Sequence, residues 1–105
     1  MAKKMKVRAF VKDAGVSVVK AILYHPMETG LRKDKSSGKI IPAHFITEVK
    51  VEHNGDTVMT CEWGTAVSKN PFLSFDISGT KAGDMVKISW LDNLGQTEAA
   101  EAAIS

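Results

Sequence analysis

Apolar and polar residues in this chain alternate at a spacing of two, in short runs broken by turn-forming residues. Residues 5–11 alternate weakly and predict an opening strand, closed by the turn Asp13-Ala14-Gly15. Residues 16–24 are rich in β-branched side chains. Val16, Val18, Ile22 and Tyr24 share one parity, and Val19, Ala21 and Leu23 the other. Both faces are therefore apolar, as in a strand well inside a sheet. Residues 45–53 alternate clearly, with Phe45, Val49 and Val51 pointing one way and Glu48, Lys50 and Glu52 the other. Asn54-Gly55 is a strong hairpin signal. The returning run 57–63 places Met59, Cys61 and Trp63 on one parity. A two-residue loop would set Val49 and Val51 across from Thr60 and Val58. A three-residue loop, with Gly55 left-handed in a bulge, would set Val49 opposite Met59 and Phe45 opposite Trp63. The second choice gathers the large apolar groups on one face and is the expected register.

Three further runs complete the pattern. Residues 72–77 carry Leu73, Phe75 and Ile77 inward, and 85–90 carry Val86, Ile88 and Trp90 inward. After the tight turn Asp92-Asn93-Leu94-Gly95 comes 96–104, whose Ala-Glu composition has helical propensity. A strand neighbour across a short turn should override that propensity. The result is one all-β domain over 1–105, an immunoglobulin-like β-sandwich of about seven antiparallel strands. Successive strands run antiparallel, so connections 25–43, 64–71 and 91–95 emerge at one end, and turns 12–15, 53–56 and 79–84 at the other. Recognition is expected at the first end, because rigid sheets commonly present binding residues on loops.

The interval 25–43 is longer than connections in compact domains usually are, and such loops tend to be functional or disordered. Its first part, His25-Pro26-Met27-Glu28-Thr29-Gly30-Leu31-Arg32-Lys33-Asp34, has a specific order of residues. Its middle, Lys35-Ser36-Ser37-Gly38-Lys39, has the composition of a mobile tip. Met27 admits two readings: a plug in the end of the core, or an adaptable contact to a partner. Arg32 is a typical interface donor. Asn70-Pro71 reads either as a turn that starts a strand or as part of the same surface. The functional reading makes His25, Pro26, Met27, Glu28, Thr29, Gly30, Arg32, Lys33, Asn70 and Pro71 the candidate partner-binding residues.

Composition narrows the class. At 105 residues, 44% of them hydrophobic, the chain can bury a modest core without staples. The formal net charge is only +2. Lys3, Lys4, Lys6 and Arg8 form the one basic run, with only Phe10 close by, so nucleic-acid binding is not expected. Cys61 is the single cysteine, which excludes an intrachain disulfide. The basic start has no apolar stretch behind it, so no signal peptide is expected. No run is long enough for a membrane helix, which on its own reads as cytosolic. His25, His44, His53 and Cys61 invite a metal reading, but their spacing is poor, and no metal or cofactor is expected. Pairing Cys61 with His25 or His44, or Glu28 with Asp34, lacks support as catalytic machinery, so no catalytic residue is assigned.

Taken together, several stretches are specific. They are His25-Pro26-Met27-Glu28-Thr29-Gly30, Arg32-Lys33-Asp34, Gly38-Lys39 with Ile41-Pro42, Asn54-Gly55, Ala66-Val67-Ser68 with Asn70-Pro71, Leu73-Ser74-Phe75, and Trp90 with Asp92. In this order and spacing, over roughly residues 16 to 98, the chain resembles the SoxZ family of bacterial thiosulfate oxidation. The resemblance implies an immunoglobulin-like sandwich that forms a heterodimer with a SoxY subunit, whose cysteine on a glycine-rich C-terminal arm carries the sulfur intermediates. It also implies periplasmic residence, the chain being exported with its partner. This sequence ends Glu101-Ala102-Ala103-Ile104-Ser105, without such an arm, and Cys61 has no flanking glycines. Cys61 therefore does not inherit the carrier role. The alternative from another class is a small immunoglobulin-like redox or metal protein using His25, His44 and Cys61.

Overall fold

The computed structural model describes residues 5–105; Lys3 and Lys4 of the basic run lie outside the described residues. Seven strands follow one another in the chain: β1 (Met5–Asp13), β2 (Val16–Leu23), β3 (Ile46–His53), β4 (Asp56–Glu62), β5 (Phe72–Ser78), β6 (Met85–Asp92) and β7 (Thr97–Ala103). They form two antiparallel sheets, one ordered β1-β2-β5 and the other β4-β3-β6-β7. This is the immunoglobulin-like sandwich that the alternation predicts. The Ala-Glu run at 97–103 is a strand, paired along its whole length with β6. Cross-strand hydrogen bonding there outweighs local helical preference.

The core lies between the sheets. Val19, Leu23, Ile46, Val49, Val51, Val86 and Ile88 are fully buried. Each contributes about 1.5–3 kcal/mol through removal of apolar surface from water. Ser17 is also buried among them, and its hydroxyl pairs with that of Thr80 at 2.6 Å. Beside β1 the sandwich is closed by the chain end: the Val11 amide donates to the Ser105 carbonyl at 3.0 Å, and the Ser105 amide to that of Ala9 at 3.1 Å.

The β3–β4 register differs from both sequence alternatives. The turn is a two-residue one, with His53 opposite Asp56 and both Asn54 and Gly55 at positive φ (50° and 90°). A bulge at Val58 then shifts the ladder, so that Val49 faces Cys61 and Val51 faces Met59. Met59, Cys61 and Trp63 pack against the core as expected. The extra residue sits in the strand and not in the turn, because Asn54 supplies a second left-handed position and lets the turn close tightly. A second shift lies between Ile46 and Glu48 in β3. It changes the inward parity, so the fully buried residue at the start of β3 is Ile46, while Phe45 packs half-buried beside it.

Candidate functional site

The three connections expected at one end do meet there. The Asn70 amide donates to the His25 carbonyl and the His25 amide to Asn70 Oδ1, both at 3.0 Å. The Asn93 amide donates to the Phe45 carbonyl at 2.9 Å, while Asn93 Oδ1 accepts the Phe45 amide at 2.8 Å and its Nδ2 donates to the Ala43 carbonyl at 2.9 Å. Asn93 thus fastens the end of the long loop to the β6–β7 turn.

Beneath these contacts lies Asp92, with its side chain fully buried. Oδ1 accepts the amides of Leu94 (3.0 Å) and Gln96 (2.8 Å) in the tight turn. Oδ2 takes Nε2 of His25 (3.1 Å) and Nε2 of His44 (2.7 Å), the two residues that bracket the long loop. The rings of His25 and His44 meet edge to face with centroids 4.5 Å apart, and His25 packs edge to face on Trp90 at 5.0 Å. Burial pushes the Asp92 carboxyl up. The hydrogen bonds from His25, Gln96, His44 and Leu94 outweigh it and hold the group below the usual carboxylate range. A carboxylate with four donors is a strong anchor, and here it pins both roots of one loop.

The His25, His44 and Asp92 ligand atoms lie within 4.8 Å of one another, close enough to raise a metal reading. The hydrogen bonding of His25 argues against it. The Met27 amide donates to His25 Nδ1 at 3.2 Å, so Nδ1 is the acceptor nitrogen and Nε2 carries the proton toward Asp92. A metal on Nε2 would require a proton on Nδ1, facing the Met27 N–H. Cys61 is half-buried on β4 and lies outside this cluster, as does His53. His53 pairs instead with Asp84 at 2.7 Å, at the opposite end of the sandwich.

The loop above this anchor is a ribbon. Glu28 and His44 exchange backbone hydrogen bonds at 2.7 and 3.0 Å. Farther out, the Ile41 amide donates to the Arg32 carbonyl and the Asp34 amide to the Lys39 carbonyl, each at 2.8 Å. The tip at 35–39 is a hydrogen-bonded turn, with the Gly38 amide on the Asp34 carbonyl at 2.8 Å. Residues 31–40 are all exposed, and the molecule is 54 Å long. That is about twice the ~27 Å of an eight-residue strand. The ribbon is therefore an arm that extends the sandwich lengthwise. The Arg32 guanidinium braces its base: Nε donates to Glu28 Oε1 at 3.1 Å, and Nη2 donates to Oε2. This pairing holds the Glu28 carboxyl below its ordinary range.

A family model described as Sulphur oxidation protein SoxZ matches residues 5–103. The chain belongs to the SoxZ family. No curated protein matches it. Membership places this chain in sulfur oxidation, among proteins that work in a complex.

Set against that role, the candidate residues of this SoxZ chain divide into two groups. His25, Met27 and Pro71 are buried. Met27 stands in the core, its sulfur accepting the Ile46 amide at 3.3 Å. Of its two readings, the geometry is that of the core plug. Pro26, Thr29, Arg32, Lys33 and Asn70 are exposed, with Glu28 and Gly30 half-buried at the root. Gly30 adopts φ of 86°, and a Cβ there would sit 3.2 Å from that of Ala43. Asp92, Asn93 and Trp90 were absent from the candidate residues, although they organise the site. The available signal was the Asx-type turn at Asp92 directly after an inward Trp90. Leu31 was also absent; it is 85% exposed, an unusual position for leucine on a braced arm.

Proposed function

We propose that this chain is a non-catalytic subunit of a sulfur carrier complex in thiosulfate oxidation, pairing with a SoxY-like subunit whose arm cysteine carries the sulfur intermediates. Family membership carries this reading. The arm is consistent with it: a braced ribbon presenting Leu31 (85% exposed), Ile40 (58%) and Arg32 has the character of a contact surface. In this reading Pro26, Thr29, Arg32, Lys33 and Asn70 face the partner or the enzymes that process its cargo. His25, Met27, Glu28, Gly30 and Pro71 act by holding the loop in shape. The compartment is the periplasm, reached together with the partner. No helix among the described residues is long and apolar enough to cross a membrane. Nucleic acid has no part in this role.

The experiment is to mix the two purified subunits and measure mass in solution. A one-to-one complex is expected; two separate monomers at micromolar concentration would count against pairing. Leu31→Asp should weaken the complex, or the turnover of carried sulfur, by about 1–2 kcal/mol. Shortening the tip at Ser36 and Ser37 should leave both unchanged. Export is checked by fractionation: the chain should reach the periplasm only when the partner's own export signal is intact.

A further inference from the structure

The outer faces of the two sheets differ in chemistry. On the four-stranded sheet the outward positions carry Glu48, Glu52, Glu62 and Glu101 against Lys50 and Lys87. That is the polar, solvated face expected of an antiparallel sheet. On the three-stranded sheet the same alternation turns Lys6 and Arg8 of β1 and Lys20 of β2 outward, and Lys12, in the bulge between Val11 and Asp13, reaches the same face through Asp76. The acids on this face are Asp76, taken by Lys12 at 3.0 Å, and Asp13, opposite Val16 at the end of the sheet away from Phe72. Phe10, Val18, Ile22 and Phe72 lie among these cations, with Phe72 60% exposed. Lys20 Nζ stands 5.8 Å from the centre of the Phe10 ring.

The register brings the two kinds of group together. Lys6, Ile22 and Phe72 are neighbours in one row across the sheet, and Arg8 and Lys20 are neighbours in the next. They surround a shallow hollow of about 190 Å³, enough for one large apolar side chain. We propose that this face is where the partner subunit docks its body, seating an apolar side chain in the hollow while its carboxylates meet Lys6, Arg8 and Lys20. This rests on the pairing reading above. The partner chemistry follows from complementarity: an apolar anchor ringed by acids fits, and a basic surface is repelled.

Area extends the footprint. Three strands about 4.8 Å apart and seven residues long cover a plan area of only roughly 330 Å². A stable interface needs ~800 Å² per partner, so the contact runs over an edge. The hollow lies at the β5 start, two residues from Asn70, so the nearest surface it reaches is the loop end. Docking on the sheet would thus set the partner beside the arm. A second copy of this chain is a poorer fit, because its acidic face offers only Met85 and Leu91 as anchors, each 39% exposed and set at opposite ends of β6.

The test titrates the purified SoxY-like subunit of the same organism against wild type, Phe72→Glu, the double variant Arg8→Glu/Lys20→Glu, and Lys50→Glu on the opposite face. Phe72→Glu and the double variant should each weaken binding at least tenfold, and the double variant should flatten its salt dependence. Lys50→Glu should stay within twofold of wild type. Thermal unfolding confirms that the variants fold, since all the substituted side chains lie on the sheet exterior. If wild type binds and both face variants bind equally well, the docking face is wrong while pairing stands. If wild type fails to bind, pairing itself fails and this inference with it. A self-association of the isolated chain that Phe72→Glu abolishes, with partner affinity untouched, would assign the face to a second copy and overturn the proposal.

Discussion

Asp92→Asn should unfold at a temperature lower by on the order of 15 °C, a loss of about 3 kcal/mol. The expectation follows from the donors around one carboxylate. Oδ1 accepts two turn amides and Oδ2 accepts two histidine rings, with the side chain fully out of water. An asparagine has one oxygen and one NH₂. With its oxygen toward Leu94 and Gln96, the NH₂ confronts Nε2 of His25, which the Met27 amide fixes as a donor. Flipped, the NH₂ confronts the two amides. Either orientation buries opposed donors. The pH dependence adds a second readout. The native Asp92 carboxyl is held below its ordinary value of about 3.9, so it contributes stability that is fully present above that pH. This stability is lost as pH falls through the lowered native value. Wild type should therefore weaken in acid, with a contribution to that slope that Asp92→Asn lacks. Thermal unfolding measured between neutral pH and pH 3 checks both points. A variant that melts within a few degrees of wild type, with the same acid slope, would mean that the carboxylate does not anchor the loop.

The strands were legible in the sequence because each reports itself locally. Val16 to Leu23, the Asn54-Gly55 turn and the inward set Val86, Ile88 and Trp90 all show in a window of a few residues. The β7 strand was legible one step further out, from its short connection to β6. The bulges at Val58 and beside Thr47 were not. A bulge is chosen by the twist and packing of the assembled sheet, and nothing in Thr57-Val58-Met59 sets it apart from a regular run. The anchor was illegible for a different reason. His25 and His44 draw notice in sequence only as histidines and Asp92 only as a turn residue, and Asp92 lies 67 and 48 residues from the two rings it joins. The sequence placed their connections at one end of the sandwich, which is the necessary condition, but not the depth at which the side chains meet. The chemistry of the β1-β2-β5 outer face was hidden similarly. Phe72 is distant from Lys6, Arg8 and Phe10 along the chain, so the sequence shows only Phe10 beside the basic run, and the second aromatic arrives through the pairing of β5 with β2.

Met27→Ala should cost about 3 kcal/mol of folding stability. Met27 is only 5% exposed and belongs to the hydrophobic core, although the loop that carries it begins at a strand end and leaves the sandwich. Its backbone stands at φ 49°, a left-handed conformation that a non-glycine residue sustains at a cost of ~1 kcal/mol. Packing must outweigh that strain. Alanine leaves the strain in place and removes the packing. It also removes the sulfur that accepts the Ile46 amide at 3.3 Å, where β3 begins. Met27→Leu, which keeps the volume, should cost less than ~1.5 kcal/mol. Denaturant unfolding of both variants separates cavity formation from loss of the sulfur contact. Partner titration at a temperature where Met27→Ala is still folded completes the test. The expected result is unchanged affinity per folded molecule, because the side chain points into the core. If Met27→Ala were as stable as wild type and yet bound the partner tenfold more weakly, Met27 would be a contact residue and its place as a core plug would be wrong.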